Sequence, residues 1–159
     1  MKFTENLSEA MEKLHTGGAF LTVRDGERIN TMTISWGNIG YEWKMPVFVT
    51  LVRDSRYTKE FIDSAKKFTV TVPLDNSMRS ALAYCGKNSG RDVDKFSECN
   101  ITATEDAAIV CPSIVYVCEI VYSQRMDLSD FPLLKESDYS SGDIHTMYYG
   151  KIVEARRVD

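Results

Sequence analysis

The chain has 159 residues, 43% of them hydrophobic and 26% charged, enough apolar material for a single domain spanning 1–159 with a real core, and this excludes disorder as the default. A net charge of −4 and a pI near 5.3 argue against a nucleic-acid partner, because binding a polyanion takes a clustered basic excess. No stretch approaches the roughly 20 apolar residues of a membrane helix, and the opening MKFTENLSEAMEKL carries no apolar signal core, so the expectation is a cytoplasmic protein without a membrane partner.

In chain order, Ser8 is placed to cap a short helix through Ala10, Met11 and Leu14, with Gly17 and Gly18 as the stop. Ala19 to Arg24 and Arg28 to Ser35 are rich in β-branched residues and flank Asp25-Gly26, the pattern of a hairpin. The run Val47 to Val52 after Pro46 is too short for most helices and reads as a buried strand. Ser55 then stands where it would cap a helix from Arg56 to about Lys66, in which Phe61, Ile62 and Ala65 recur at helical spacing.

Phe68 to Val72 returns to strand and closes at Pro73, and Ser77 to about Cys85 reads as a helix ending at Gly86. After the polar loop KNSGRDVDKF comes a short strand, Ile101 to Thr104. Ser113 to Arg125 and Ile144 to Arg156 read as long strands, separated by an irregular stretch from Asp127 to Asp143 that contains Pro132 and fits a functional or interface loop. Six or seven strands with two or three short helices, and hairpins instead of βαβ units, predict a mainly β fold: a mostly antiparallel barrel with helices on its rim.

Three stretches carry chemistry. Asn30-Thr31-Met32-Thr33-Ile34-Ser35-Trp36-Gly37 ends a strand in hydroxyl residues and an indole, which suits the edge and face of a planar heterocycle; a plain strand with a core Trp is the alternative. Arg53-Asp54-Ser55-Arg56-Tyr57-Thr58 lies at a predicted helix start, where free amides, two arginines and hydroxyls favour a phosphate; a Ser cap beside solvated arginines is the alternative. The loop Cys85 to Phe96 offers Ser89, Arg91 and Lys95 around two glycines, though it is not a Walker A loop and equally suits a solvated connection. His145, at the entry to the last strand, is a candidate for nicotinamide contact or proton steering. The four cysteines have no C-x-x-C spacing, so free thiols are expected and a thiol redox role is disfavoured.

Four blocks, N-x-M-T-x-x-W-G at Asn30 to Gly37, P-V-x-V-x-x-V-R-x-S-R-Y-T at Pro46 to Thr58, F-T-V-x-V-P at Phe68 to Pro73 and C-G-x-x-S-G-R-D-x-D-K-F at Cys85 to Phe96, together resemble the flavin reductase-like, flavoredoxin-type FMN-binding proteins. The resemblance implies a split β-barrel homodimer with one FMN per subunit near the interface. Asn30, Met32, Thr33, Ser35 and Trp36 would line the flavin and ribityl chain, Arg53, Ser55, Arg56 and Thr58 would hold the phosphate, and Ser89, Arg91 and Lys95 would close the site. The implied activity is transfer of hydride or electrons from NADH, NADPH or a redox protein through FMN, with a flavoredoxin-like carrier or a non-enzymatic flavin-binding module as alternatives. Members of this group often carry Gly-Asp-His before the last strand, whereas this chain reads Gly142-Asp143-Ile144-His145; the extra residue is expected to turn the histidine to the opposite face of the strand.

Overall fold

The computed structural model describes residues 2–159. Helix α1 (Leu7–Gly17) is followed by the hairpin β1 (Ala19–Asp25) and β2 (Arg28–Ile34), then by a second hairpin, β3 (Gly37–Glu42) and β4 (Met45–Arg53). Helix α2 (Thr58–Ala65), strand β5 (Lys67–Pro73), a 3-10 turn (Asn76–Met78) and helices α3 (Arg79–Lys87) and α4 (Lys95–Cys99) come next. Strand β6 (Ser113–Arg125), helix α5 (Pro132–Ser137) and strand β7 (His145–Val158) complete the chain. Residues 101–104 form no strand, contributing only an isolated bridge from Ala103 to Ile109.

All strand pairs are antiparallel, in the order β2-β1-β5-β6-β7-β4-β3. The expected closed barrel is not formed. Among the described residues no ladder joins the edge strands β2 and β3, although only Ser35 and Trp36 separate them in the chain. Helices meet those edges instead: α1 packs against β3, with Leu14 Cδ2 3.7 Å from where a Cβ on Gly37 would stand, and α3 packs against β2.

The β3–β4 hairpin is absent from the sequence reading for a physical reason. Its two-residue turn is Trp43-Lys44, both at positive φ (50° and 62°), a conformation usually carried by Asn or Gly. Trp43 holds it through edge contacts with Tyr122 and Tyr149, ring centroids 5.9 Å and 5.5 Å away.

The main core is built from the inward faces of the sheet, with Leu21, Phe48, Phe68, Ile114, Tyr116 and Tyr148 joined by Leu14 of α1 and Phe61 and Ile62 of α2. Apolar burial of this kind drives the folding of such a sheet. Strand β7 can lie over that core only because residue 150 is glycine: a Cβ there would stand 2.5 Å from Phe68 Cζ and 2.7 Å from Cys118 Cβ. A smaller cluster of Phe20, Leu82, Cys85, Ile109 and Cys111 anchors α3 to the sheet. No helix is long and apolar enough to cross a membrane among the described residues.

Candidate functional site

The sheet brings two distant strand ends together. Arg53, the last residue of β4, pairs with His145, the first of β7, and both face the end of edge strand β2. A cavity of about 160 Å³ lies there, lined by Met32, Thr33, Ser35, Trp36 and Leu51, with Arg53, Arg56 and His145 closing it. The residues from β2 are those expected to meet a planar ring, and Trp36 is 45% exposed, so it is a wall of the cleft and not core. Thr33 differs from expectation in one respect: its hydroxyl donates to the Leu82 carbonyl at 2.6 Å and ties β2 to α3.

A second cavity of about 100 Å³ adjoins the first across Met32 and Arg56. Ser55, Thr58, Lys87, Asn88, Ser89 and Lys95 line it, so the α2 approach and the loop after α3 converge as expected. Their individual roles divide. The Arg56 guanidinium donates once, to the Gly86 carbonyl at 2.9 Å, which leaves most of its fork for another acceptor. Lys87, not singled out in the sequence, lines the cavity with an exposed side chain; its only signal was a charge at the start of the polar loop.

Other expected phosphate ligands are engaged within the protein. The Thr58 hydroxyl accepts from Asn30 Nδ2 at 2.8 Å, and both residues are buried. Lys95 is 4% exposed and its Nζ donates to the Thr31 and Cys85 carbonyls at 2.9 Å and 3.0 Å; burial lowers its pKa. It satisfies a carbonyl of edge strand β2 and fixes the loop. Arg91 lines neither cavity; it reaches Glu60 at 2.6 Å, the Ser55 carbonyl at 3.2 Å and the face of Tyr57. Ser55 does not cap α2. Tyr57 occupies that position without a side-chain cap, and Ser55 instead gives its backbone N–H and hydroxyl to the Asp143 carboxylate at 3.0 Å and 2.6 Å.

The stretch before β7 explains that change. Arg53 donates to the carbonyls of Asp143 (2.6 Å) and Asp138 (3.2 Å) and lies over the Tyr139 ring at 5.1 Å. Tyr139 is buried and its hydroxyl meets His145 Nδ1 at 2.8 Å. Despite the extra residue before it, His145 lines the cleft, its ring 5.4 Å from that of Trp36. Burial, reinforced by the Arg53 charge, pushes its pKa down to about 4, so the imidazole is neutral at physiological pH. Asp143 stood in the Gly-Asp-Ile-His stretch already noted, but its bond to Ser55, 88 residues away, could not be read from it.

A flavin-reductase-like domain accounts for this arrangement: the family of that description, "Flavin reductase like domain", matches residues 11–159. The chain belongs to the flavin reductase-like family. Membership makes it, at the level of the family, a flavin-reductase-like oxidoreductase domain. In fold it is similar to a flavoredoxin from Methanosarcina acetivorans, 22% identical, with 90% of this chain and 69% of that chain covered and a TM-score of 0.65. It is likewise similar to an NADH:FAD oxidoreductase from Streptomyces globisporus, at 18% identity, 90% and 76% coverage and a TM-score of 0.67. An FMN-binding protein from Thermus thermophilus matches at 19% identity, 89% and 71% coverage and a TM-score of 0.67. No curated protein matches the sequence.

The residues present fit a flavin mononucleotide. A flat aromatic and apolar end (Trp36, Leu51, Met32) runs into a cationic, hydroxyl-bearing end (Arg56, Lys87, Ser89), the complement of a planar ring joined to a phosphate. Each cavity alone is below the usual ligand cleft of roughly 300 Å³, and the two share Met32 and Arg56 in their walls.

Proposed function

We propose that this chain binds FMN along the paired cavities and works as an oxidoreductase, moving hydride or electrons from NADH, NADPH or a redox protein to a small or protein acceptor. The observation that carries the reading is the adjacency at Arg56, where the aromatic cleft meets the cationic one. When bound, the flavin supplies the hydride and electron chemistry, while the protein supplies binding and orientation. Trp36 and Met32 would flank the ring, and Arg56, Lys87 and Ser89 would hold the phosphate by charge-assisted hydrogen bonds. Arg53 and Ser55 serve the same site indirectly, by holding the segment that ends at His145.

A homodimer belongs to this proposal. Trp43, Tyr122 and Tyr149 form an aromatic cluster, the first two 54% and 44% exposed, and aromatic residues are enriched where one copy covers another. The exposure of Trp36 favours the second reading, a flavoredoxin-like carrier that meets a protein donor at the open end of the cleft.

Anaerobic addition of NADH or NADPH to the protein with FMN tests the activity. Bleaching of the flavin absorbance supports the reductase; a bound flavin that does not bleach supports the carrier.

A further inference from the structure

The irregular segment before β7 delivers one buried side chain to the cleft histidine. Tyr139 is 4% exposed, its ring packs edge-on against that of His145 with centroids 5.5 Å apart, and its hydroxyl lies 2.8 Å from His145 Nδ1. The same hydroxyl has one alternative acceptor, the Met126 thioether at 3.4 Å.

At 2.8 Å either group could donate, and the tautomer follows from what each choice leaves the hydroxyl to bond. A hydroxyl has one proton to give, and a thioether sulfur is a weak acceptor whereas an unprotonated imidazole nitrogen is a strong one. With the Tyr139 proton on Nδ1, the ring's own proton sits on Nε2. The reverse arrangement, Nδ1–H donating to Tyr139, would leave the hydroxyl with only the sulfur. Because Nδ1 is turned to Tyr139, which does not line the cavity, the Nε2 edge is the one offered to the cleft beside Trp36.

Tyr139 is itself held firmly. Arg53 lies over its ring, and the two Arg53 terminal nitrogens are fixed by the Asp138 and Asp143 carbonyls on either side of it in the chain.

We propose that Tyr139 is a positioning residue that fixes His145 as a neutral Nε2–H donor aimed into the cleft, to hold a carbonyl or carboxamide oxygen of the electron donor or acceptor. This rests on the flavin-cleft reading for its use and on the Tyr139–His145 pair for its geometry. The charged groups around the imidazole are Arg53, Asp54 and Arg56 from the end of β4 and its following loop and Asp143 from the segment before β7; the two arginines oppose a second proton on the ring and the two carboxylates favour one. A neutral donor keeps its hydrogen bond through the physiological range without adding charge to a site already cationic at Arg53 and Arg56.

The test is nitrogen NMR of His145 in the intact protein, in wild type and in Tyr139→Phe, which keeps the ring over Arg53 and removes only the hydroxyl. The wild type is expected to show the Nε2–H tautomer, and Tyr139→Phe a mixture of both. Michaelis constants with NADH, or with the acceptor the protein reduces, are expected to rise about tenfold in Tyr139→Phe while kcat changes less, the scale of one lost hydrogen bond, and His145→Gln, whose amide N–H restores a donor, is expected to recover part of that loss where His145→Ala does not. An Nδ1–H tautomer in the wild type, or an unchanged tautomer in Tyr139→Phe, overturns the proposal whether or not the protein binds flavin. A protein with the expected tautomer that binds no flavin leaves the pair intact and removes the reading of the cleft.

Discussion

The two ends of the cleft are built differently. At the Trp36 end the groups are placed by the sheet: β2 ends at Ile34, and Arg53 and His145 are register partners, so their separation is set by many ladder bonds. At the Arg56 end the loop after α3 is placed by a few side-chain contacts, chiefly Lys95 to the carbonyls of Thr31 and Cys85 and Gly90 against Asn30. The lesson is that the proposed ring end is built by the fold, whereas the proposed anion end depends on single residues and is the easier end to break.

Gly90→Ala breaks it hardest. A Cβ at residue 90 would stand 2.1 Å from Asn30 Oδ1 and 3.1 Å from Tyr57 Cδ1, and Asn30 is itself buried and bonded to Thr58. The variant is expected to lose about 3 kcal/mol of stability in urea unfolding and most of its FMN binding; an unchanged midpoint would show that the loop is not held there.

The sheet-built end is probed by pH. The folded pKa of His145 lies near 4, below its ordinary 6.5, so the folded state resists protonation. Its contribution is fully present above about pH 6.5 and lost as the pH falls toward 4, about 3 kcal/mol over that window. His145→Gln is expected to flatten the stability profile across that window, measured as the unfolding midpoint against pH.

Arg56→Ala removes the wall that the two ends share. It is expected to weaken FMN binding by about 2 kcal/mol, the scale of hydrogen bonds to a charged group, while leaving the emission of Trp36 in the free protein unchanged. Lys87→Ala should do least, about twofold in FMN affinity, because an exposed lysine contributes a screened charge. Equal losses in the two variants would mean that charge alone, and not the Arg56 fork, holds the phosphate.

What the sequence made legible follows the same division. Strands with β-branched runs and the Asp25-Gly26 turn were readable because the signal is local, whereas a site shared by the Asn30–Trp36, Arg53–Thr58 and Cys85–Lys95 stretches was implied only by the family resemblance, since their spacing in the chain does not show it. The second hairpin escaped because Trp43-Lys44 adopts a turn conformation that its residue types do not announce. Barrel closure was overcalled because strand number carries no information about whether edges β2 and β3 pair. The internal partners of Ser55, Thr58 and Lys95, namely Asp143, Asn30 and Thr31, could not be read because they are distant in the chain. Only the folded chain shows that the Ser55 hydroxyl is given to Asp143, whereas the Thr58 hydroxyl accepts from Asn30 and keeps its own proton.

The central claim is that the joined cavities form one flavin site centred on Arg56. A fluorescence titration of FMN against the wild type and Arg56→Ala tests it most directly. Saturable binding that weakens by about tenfold or more in the variant, the equivalent of a lost charged hydrogen bond, is the predicted result. Absence of FMN binding, or equal affinity in both proteins, would contradict it.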